Sequence, residues 1–169
     1  MEFTEVIKNR YSCKRFTSTQ ITQDQLQRIL EAGRYAPTAK NLQEQHIYVA
    51  RSKETLKKID DCCPCRYNAP TVLVITYDKE NVYHYLESEN TSGPEDVSII
   101  ATHMMLAAYN EGVDSCWINR VETFKLKKEL NLPDNEEIVL LLDLGFGDNF
   151  SPLPNHTSRK ELDETVSYL

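Results

Sequence analysis

The sequence predicts an α+β domain in which helices and strands alternate in an α/β-like order, with at least four strands and about five helices. Three observations carry this reading. Apolar residues recur at helical spacing in several stretches, as at Leu26, Ile29, Leu30 and Gly33. Two short apolar runs, 71–77 and 138–144, are too short to be anything but strands or core segments. Pro37 and Gly112 punctuate the chain where helical patterns end.

In order, Phe3, Val6 and Ile7 mark a short helix that runs into Asn9 and Arg10. Thr22-Gln23-Asp24-Gln25 is a capping box, so the next helix starts there and stops before Pro37. Residues 47–50 read as a strand. Leu56, Ile59 and Cys63 continue a helix after Ser52. The run at 71–77 is the clearest strand, and its consecutive apolar residues predict burial on both faces. Residues 78–93 are polar and read as a loop or a short exposed helix. Pro94 opens the longest helix, since proline is tolerated in a first turn. Its apolar residues, Ile99, Ile100, Met104, Met105, Leu106, Ala107 and Ala108, surround the axis on most sides and predict a central position. Residues 115–118 form a short strand, Thr123 caps a helix reaching Leu130, and 138–144 is the second long strand. The tail carries Pro152 and Pro154, then a charged stretch at 159–164.

The 169 residues suit a single domain over 1–169, without a Gly/Ser linker or repeat. The formal charge of -7 gives no positive field to gather phosphates, so nucleic acid is not an expected partner. The longest wholly apolar run, 104–109, is far below a membrane span, so no membrane association is expected. The acidic start, Met1-Glu2-Phe3-Thr4-Glu5, lacks an apolar secretion segment, and the cysteine count of 5 is odd. A cytoplasmic protein with reduced thiols is expected.

Familiar chemistry is missing. No glycine cluster builds a phosphate loop. Gly145-Phe146-Gly147 follows a strand, but Asn149, Pro152 and Pro154 stand where a dinucleotide-binding helix would start. The histidines, His46, His84, His103 and His156, lack metal-ligand spacing. Cys62-Cys63-Pro64-Cys65 offers a soft metal or a disulfide shuttle three thiols, yet a complete metal site wants a fourth ligand. Some of these thiols also fit the apolar face of the preceding helix, so packing is the expected role.

One basic island interrupts the acidic chain: Lys8, Arg10, Lys14 and Arg15, with Tyr11, Ser12 and Cys13 inside it. A helix ends here and an extended segment begins, so Ser12 and Lys14 share a face, which Arg10 joins from the helix end. Guanidinium, hydroxyl and ammonium at one point suit a phosphate monoester; a solvated basic face is the alternative.

Arg10-Tyr11-Ser12-Cys13-Lys14-Arg15-Phe16 resembles the N-terminal Arg-x-Ser-x-Lys/Arg-x-Phe motif of the nitroreductase family of flavin enzymes. Ala36-Pro37-Thr38-Ala39-Lys40-Asn41-Leu42-Gln43 is similar to the family's Ala-Pro-Ser-x-x-Asn-x-Gln. Asn68-Ala69-Pro70, the stretch from Ala107 through Gly112 to Ser115-Cys116-Trp117-Ile118, and Leu144-Gly145-Phe146 with Ser158-Arg159-Lys160 follow in family order. Together these blocks cover nearly the whole chain.

The resemblance implies a nitroreductase-type fold: a mixed central sheet of about four to five strands flanked by helices, built around a dimer interface. It implies a homodimer with FMN at the subunit interface and NAD(P)H as electron donor. Arg10, Ser12 and Lys14 would hold the FMN phosphate and ribityl chain, with Arg159 reaching the phosphate and Tyr11 offering mainly backbone. Pro37, Thr38, Ala39 and Asn41 would meet the flavin held by the other subunit. Trp117, Ile118 and Asn119 would run beside the isoalloxazine, with a backbone N–H at 119–120 facing N5. No side chain is assigned a catalytic role; flavin N5 does the chemistry. The implied reaction is ping-pong reduction of a small electron-poor molecule, a nitroaromatic, quinone or similar. A reductase of another class (enone, dehalogenation) and a flavin/thiol redox-sensing module are the alternatives. Two departures stand out. Gln43-Glu44-Gln45-His46 replaces a common Gln-Pro-Trp, and Asn119-Arg120 replaces a common Glu-Gly.

Overall fold

The computed structural model describes residues 1–148 and 158–169. Helices α1 (Phe3–Asn9), α2 (Gln23–Arg34), α3 (Lys53–Asp60), α4 (Gly93–Asn110) and α5 (Thr123–Glu129) alternate with strands β1 (Gln45–Ala50), β2 (Thr71–Asp78), β3 (Asp114–Ile118) and β4 (Glu136–Gly145). The strands form one sheet in the order β1-β2-β4-β3, and every neighbouring pair is antiparallel. The mixed sheet expected from the sequence is therefore antiparallel throughout its four strands. Parallel pairing survives in an isolated bridge between Ser12 and Ser115.

Burial of β2 on both faces has a different cause from a parallel sheet: helices cover each side. Leu73, Ile75 and Tyr77 pack with Leu26, Ile29, Ile100 and Met104 of α2 and α4. Val72 and Val74 pack with Ile59 and Leu126 of α3 and α5 on the other face. A register shift between Ile75 and Thr76 leaves Val139 without a ladder partner, so Ile138 and Leu140 point to opposite faces. The α2–α4 contact depends on Gly33, where a Cβ would lie 2.8 Å from Met104 Cγ. Gly112, at φ +69°, ends α4 and turns the chain into β3.

Local signals hold at the helix ends. The Thr22/Gln25 capping box forms as expected, and Pro94 sits in the first turn of α4. Helix α3 stops at Asp60, three residues short of Cys63. Cys62 and Cys63 are buried from the turn that follows, each 2% exposed. Thr123 is the first residue of α5, not its cap; Glu122 precedes it and makes no side-chain cap bond. Of the stretch 78–93, Asp78 ends β2 and Gly93 begins α4; between them lie turns and a bridge between His84 and Thr91. Asn149, Pro152, Pro154 and His156 lie outside the described residues. Among the described residues no helix is long and apolar enough to cross a membrane.

Candidate functional site

The basic island is held against the end of the sheet. Arg10 caps α1 with ψ at 146°, which leaves the helical region and extends the chain. Cys13 N–H then donates to Ser115 O at 2.9 Å, Phe16 N–H to Tyr67 O at 3.1 Å, and Thr17 N–H to Phe146 O at 2.8 Å. Side chains alternate along this segment. Cys13 is fully buried, whereas Ser12 and Lys14 line a cleft of about 430 Å³. The Tyr11 hydroxyl bonds to Asp114, and burial with that carboxylate pushes its ionisation above the ordinary tyrosine range. Asp114 also accepts from Gly147 N–H at 2.7 Å. Tyr11 is therefore an anchor of the segment, and what it can offer a ligand is backbone.

The rest of the cleft wall comes from β3 and the turn at 62–67: Cys65, Tyr67, Cys116, Trp117, Ile118, Asn119 and Arg120. Together with Ser12 and Lys14, this lining holds two cationic side chains and no carboxylate. Among the described residues neither Arg10 nor Lys14 joins an ion pair, although Arg15 pairs with Asp148. β3 pairs with β4 along one edge only. Ser115 directs its carbonyl away from β4, to Cys13 N–H. Backbone groups alternate along a strand, so those of Trp117 also face the open edge. Asn119 is the first residue past β3, and its carbonyl accepts from Val121 N–H at 3.0 Å. The Trp117 indole N–H donates to Asn119 Oδ1 at 2.8 Å. Ile118 is 3% exposed and belongs to the core, so its side chain is unavailable to a ligand.

The second block stands apart from this cleft in the same chain. Pro37 is exposed, and Ala39–Asn41 form a 3-10 turn. Lys40, Asn41 and Gln43 all take positive φ, between 52° and 55°. Such a backbone needs outside support. Ala39 N–H donates to Asp96 Oδ1 at 2.9 Å, and Gln43 N–H to Thr38 Oγ1 at 3.1 Å. Asp96 projects from the first turn of α4 and is 3% exposed; Glu44, beside it, is 4% exposed. Among the described residues, both Glu44 carboxylate oxygens and Asp96 Oδ2 are buried without a hydrogen-bond partner. A like charge close by disfavours ionisation of a carboxyl. Burial, and the hydrogen bond to Asp96, push the Glu44 carboxyl up to about 7.

This pair makes a pH prediction. The folded-state value is raised, so the stabilising contribution is complete below the unfolded carboxyl range and is lost as pH rises through about 7. Glu44→Gln keeps a donor for Asp96 and removes the proton. Thermal unfolding should show it near wild type at pH 5 and more stable at pH 8. The gain should be on the order of 1–2 kcal/mol after solvent screening. Equal stability at both pH values would remove the raised Glu44 carboxyl from the account.

Arg159 is exposed in the tail and donates to Ser158 O at 2.7 Å; it does not line the cleft of its own chain. Sequence reading missed Glu44 and Asp96 as a pair, Tyr67 and Cys65 as cleft wall, and Asp143. That aspartate interrupts the apolar run of β4, is fully buried opposite Cys116, and has no hydrogen-bond donor for either oxygen among the described residues. Burial holds its carboxyl well above the usual range, with the Arg66 charge acting in the opposite direction. The signal was a single acid inside an otherwise apolar strand. Among the described residues no three His, Cys, Asp or Glu side chains converge to hold a metal ion.

The sequence profile of the Nitroreductase family matches residues 7–65 and 64–146. The chain belongs to the nitroreductase family. Solved structures agree with this. A nitroreductase family protein of Clostridium difficile 630 superposes with a TM-score of 0.93 at 32% identity, covering 99% of this chain and 98% of that one. An FMN-dependent nitroreductase of Clostridium difficile R20291 superposes with a TM-score of 0.80 at 25% identity, covering 98% of each. A protein of Archaeoglobus fulgidus, provisionally named NADH dehydrogenase/NAD(P)H nitroreductase, is 29% identical over 153 residues, 86% of this chain and 85% of its own. In this nitroreductase-family chain the matched region spans the basic segment, the cleft and the whole sheet.

Proposed function

We propose that this nitroreductase-family protein is an FMN-dependent oxidoreductase that uses NAD(P)H to reduce a small electron-poor molecule, such as a nitroaromatic or a quinone. The observation that carries this is the cleft itself: two cations and a hydroxyl beside an open backbone edge, with no acid in the lining. Such a wall fits an anionic, planar group. Bound FMN supplies the hydride chemistry between the nicotinamide and the second substrate.

The chain's own residues bind and orient. Lys14 and Ser12 meet the phosphate and ribityl end, joined by Arg10 from the end of α1 and by Arg159 from the tail. Asn119 N–H, just past the end of β3, would donate to the flavin ring, with the Trp117 backbone beside it. Asn119 Oδ1 holds the Trp117 ring. The cleft is open to solvent on one side, so a nicotinamide and then the second substrate occupy the same place in turn. Purified protein should carry absorbance bands near about 370 and 450 nm, the pattern of oxidised flavin. Initial rates against NAD(P)H and a quinone or nitroaromatic should give parallel double-reciprocal lines. Colourless protein that gains no bands with added FMN would sink this reading.

The proposal includes a homodimer in which Pro37, Thr38, Ala39 and Asn41 of one chain complete the wall of the other's cleft. Apolar surface supports it. Phe3, Leu162 and Val166 are 68%, 78% and 46% exposed in one chain. An open cavity of about 260 Å³ lies between α1 and α4, lined by Phe3, Val6, Leu106 and Ala107 among others. Surface of this kind calls for a covering partner. Sedimentation of the flavin-loaded protein should report a dimer, and a monomer at full flavin occupancy would contradict it.

A further inference from the structure

All 5 cysteines are free thiols, and only Cys65 is partly exposed. Its sulfur lies on the cleft wall, 3.8 Å from Cys63 Sγ. It also lies 3.7 Å from the Arg120 carbonyl. We propose that Cys63 and Cys65 are a redox-active dithiol that exchanges with disulfides of small thiol compounds, closing to an intramolecular Cys63–Cys65 disulfide on the rim of the cleft.

The turn that carries the pair is held at both ends. Glu122 N–H donates to Cys62 O at 2.9 Å on one side. On the other, Arg66 grips Asp60 with two bonds of 2.6 and 2.7 Å and donates to Ala69 O at 2.5 Å. Pro64 between the cysteines fixes its own φ and removes one backbone donor. The thiols are therefore presented together before any oxidant arrives. Bringing the sulfurs from 3.8 Å to a bond of about 2.05 Å needs side-chain rotation within this turn. Cys62 and Cys63 both enter the core, whereas Cys65 packs on the edge of that core with its sulfur partly open to the cleft.

The two thiols have different parts. Cys65 is the accessible one and attacks first. Its thiolate bonds to one sulfur of RS–SR; that S–S bond breaks, and RS⁻ leaves and takes up the proton Cys65 gave. Cys63, deprotonated by solvent, then attacks Cys65 Sγ; the Cys63–Cys65 bond forms, and the second RS⁻ leaves and is protonated. Two thiols become one disulfide, and RS–SR becomes two RSH. Dithiols drive the reverse reaction. Burial pushes the resting Cys63 thiol up to about 12, Cys65 adds to that rise, and the Cys65 amide opposes it. Once Cys65 is in the mixed disulfide its negative charge is gone, which eases Cys63 ionisation at the step that needs it. Closure also takes Cys65 Sγ off the Arg120 carbonyl, so the thiol state reaches the cleft wall. Nothing in this exchange requires bound flavin.

The test is peptide mapping of the full-length protein after anaerobic incubation with oxidised glutathione, followed by alkylation of remaining thiols. Wild type should lose two hydrogens, about 2 Da, as a Cys63–Cys65 bridge, and dithiothreitol should restore both thiols. Cys63→Ser should retain a glutathione adduct on Cys65. Cys65→Ser should leave Cys63 free. The wild-type measurement stands without the variants. Three wild-type results would each overturn the proposal: both thiols alkylated, a lasting glutathione adduct on Cys65, or a bridge that uses Cys62.

Discussion

Alanine at Lys14 is expected to weaken FMN binding by about 10–100-fold while changing riboflavin affinity by less than about twofold. Arg10→Ala should behave the same way. Lys14 lies on the cleft wall and, among the described residues, makes no ion pair, so no internal partner is orphaned by its loss. Each change removes a charge-assisted contact to the phosphate, worth on the order of 1.5–3 kcal/mol. Riboflavin has the same ring and ribityl chain without that phosphate, so it isolates the contact. Fluorescence titration of both flavins measures it. Equal losses for the two would assign the basic segment to folding.

The second large effect is expected at Asn119. Asn119→Pro should slow reduction of the bound flavin by NAD(P)H by a few kcal/mol of barrier. Asn119→Ala should stay within about tenfold of wild type. Proline removes the amide of residue 119, just past the end of β3, and the alanine variant keeps it. Alanine does free the Trp117 indole N–H from its 2.8 Å bond, which accounts for a modest loss. Stopped-flow bleaching near about 450 nm measures both variants. Equal rates with flavin still bound would take the N5 contact away from residue 119. A dead alanine variant would give the side chain a role beyond holding Trp117.

The contrast between these two sites shows what the sequence made legible. The period-2 reading placed Ser12 and Lys14 on one face, and the structure puts both on the cleft, with Cys13 between them buried. Alternation is a local property, so a short stretch reveals it. Helix starts at Thr22 and Pro94 were legible for the same reason. Strand direction was not: a run buried on both faces reads alike in a parallel sheet and in an antiparallel sheet covered by two helix layers. The end of α3 before Cys63 was missed because the apolar period continues into a buried turn. Glu44 and Asp96 lie far apart in the chain, and neither has a local feature that names the other; they meet only where the chain enters β1 beside the start of α4. Asp143 was visible as an acid in an apolar strand, but its isolation from donors is a tertiary fact.

The central claim is that each FMN site is built from two chains, one giving Ser12 and Lys14 and the other Pro37–Asn41. Co-expression of two inactive variants tests it most directly. Lys14→Ala disables one half of the wall. Pro37→Trp blocks the other, at a position exposed in the single chain and so tolerant of bulk. Each variant alone should be a dimer with little bound FMN. Co-expressed, random pairing makes about half the dimers mixed, each with one intact site, so about one quarter of all sites should fill. Flavin absorbance per chain reads that recovery. No recovery above the separate variants, with mixed dimers confirmed by mass spectrometry, would place the whole site within one chain and contradict the account.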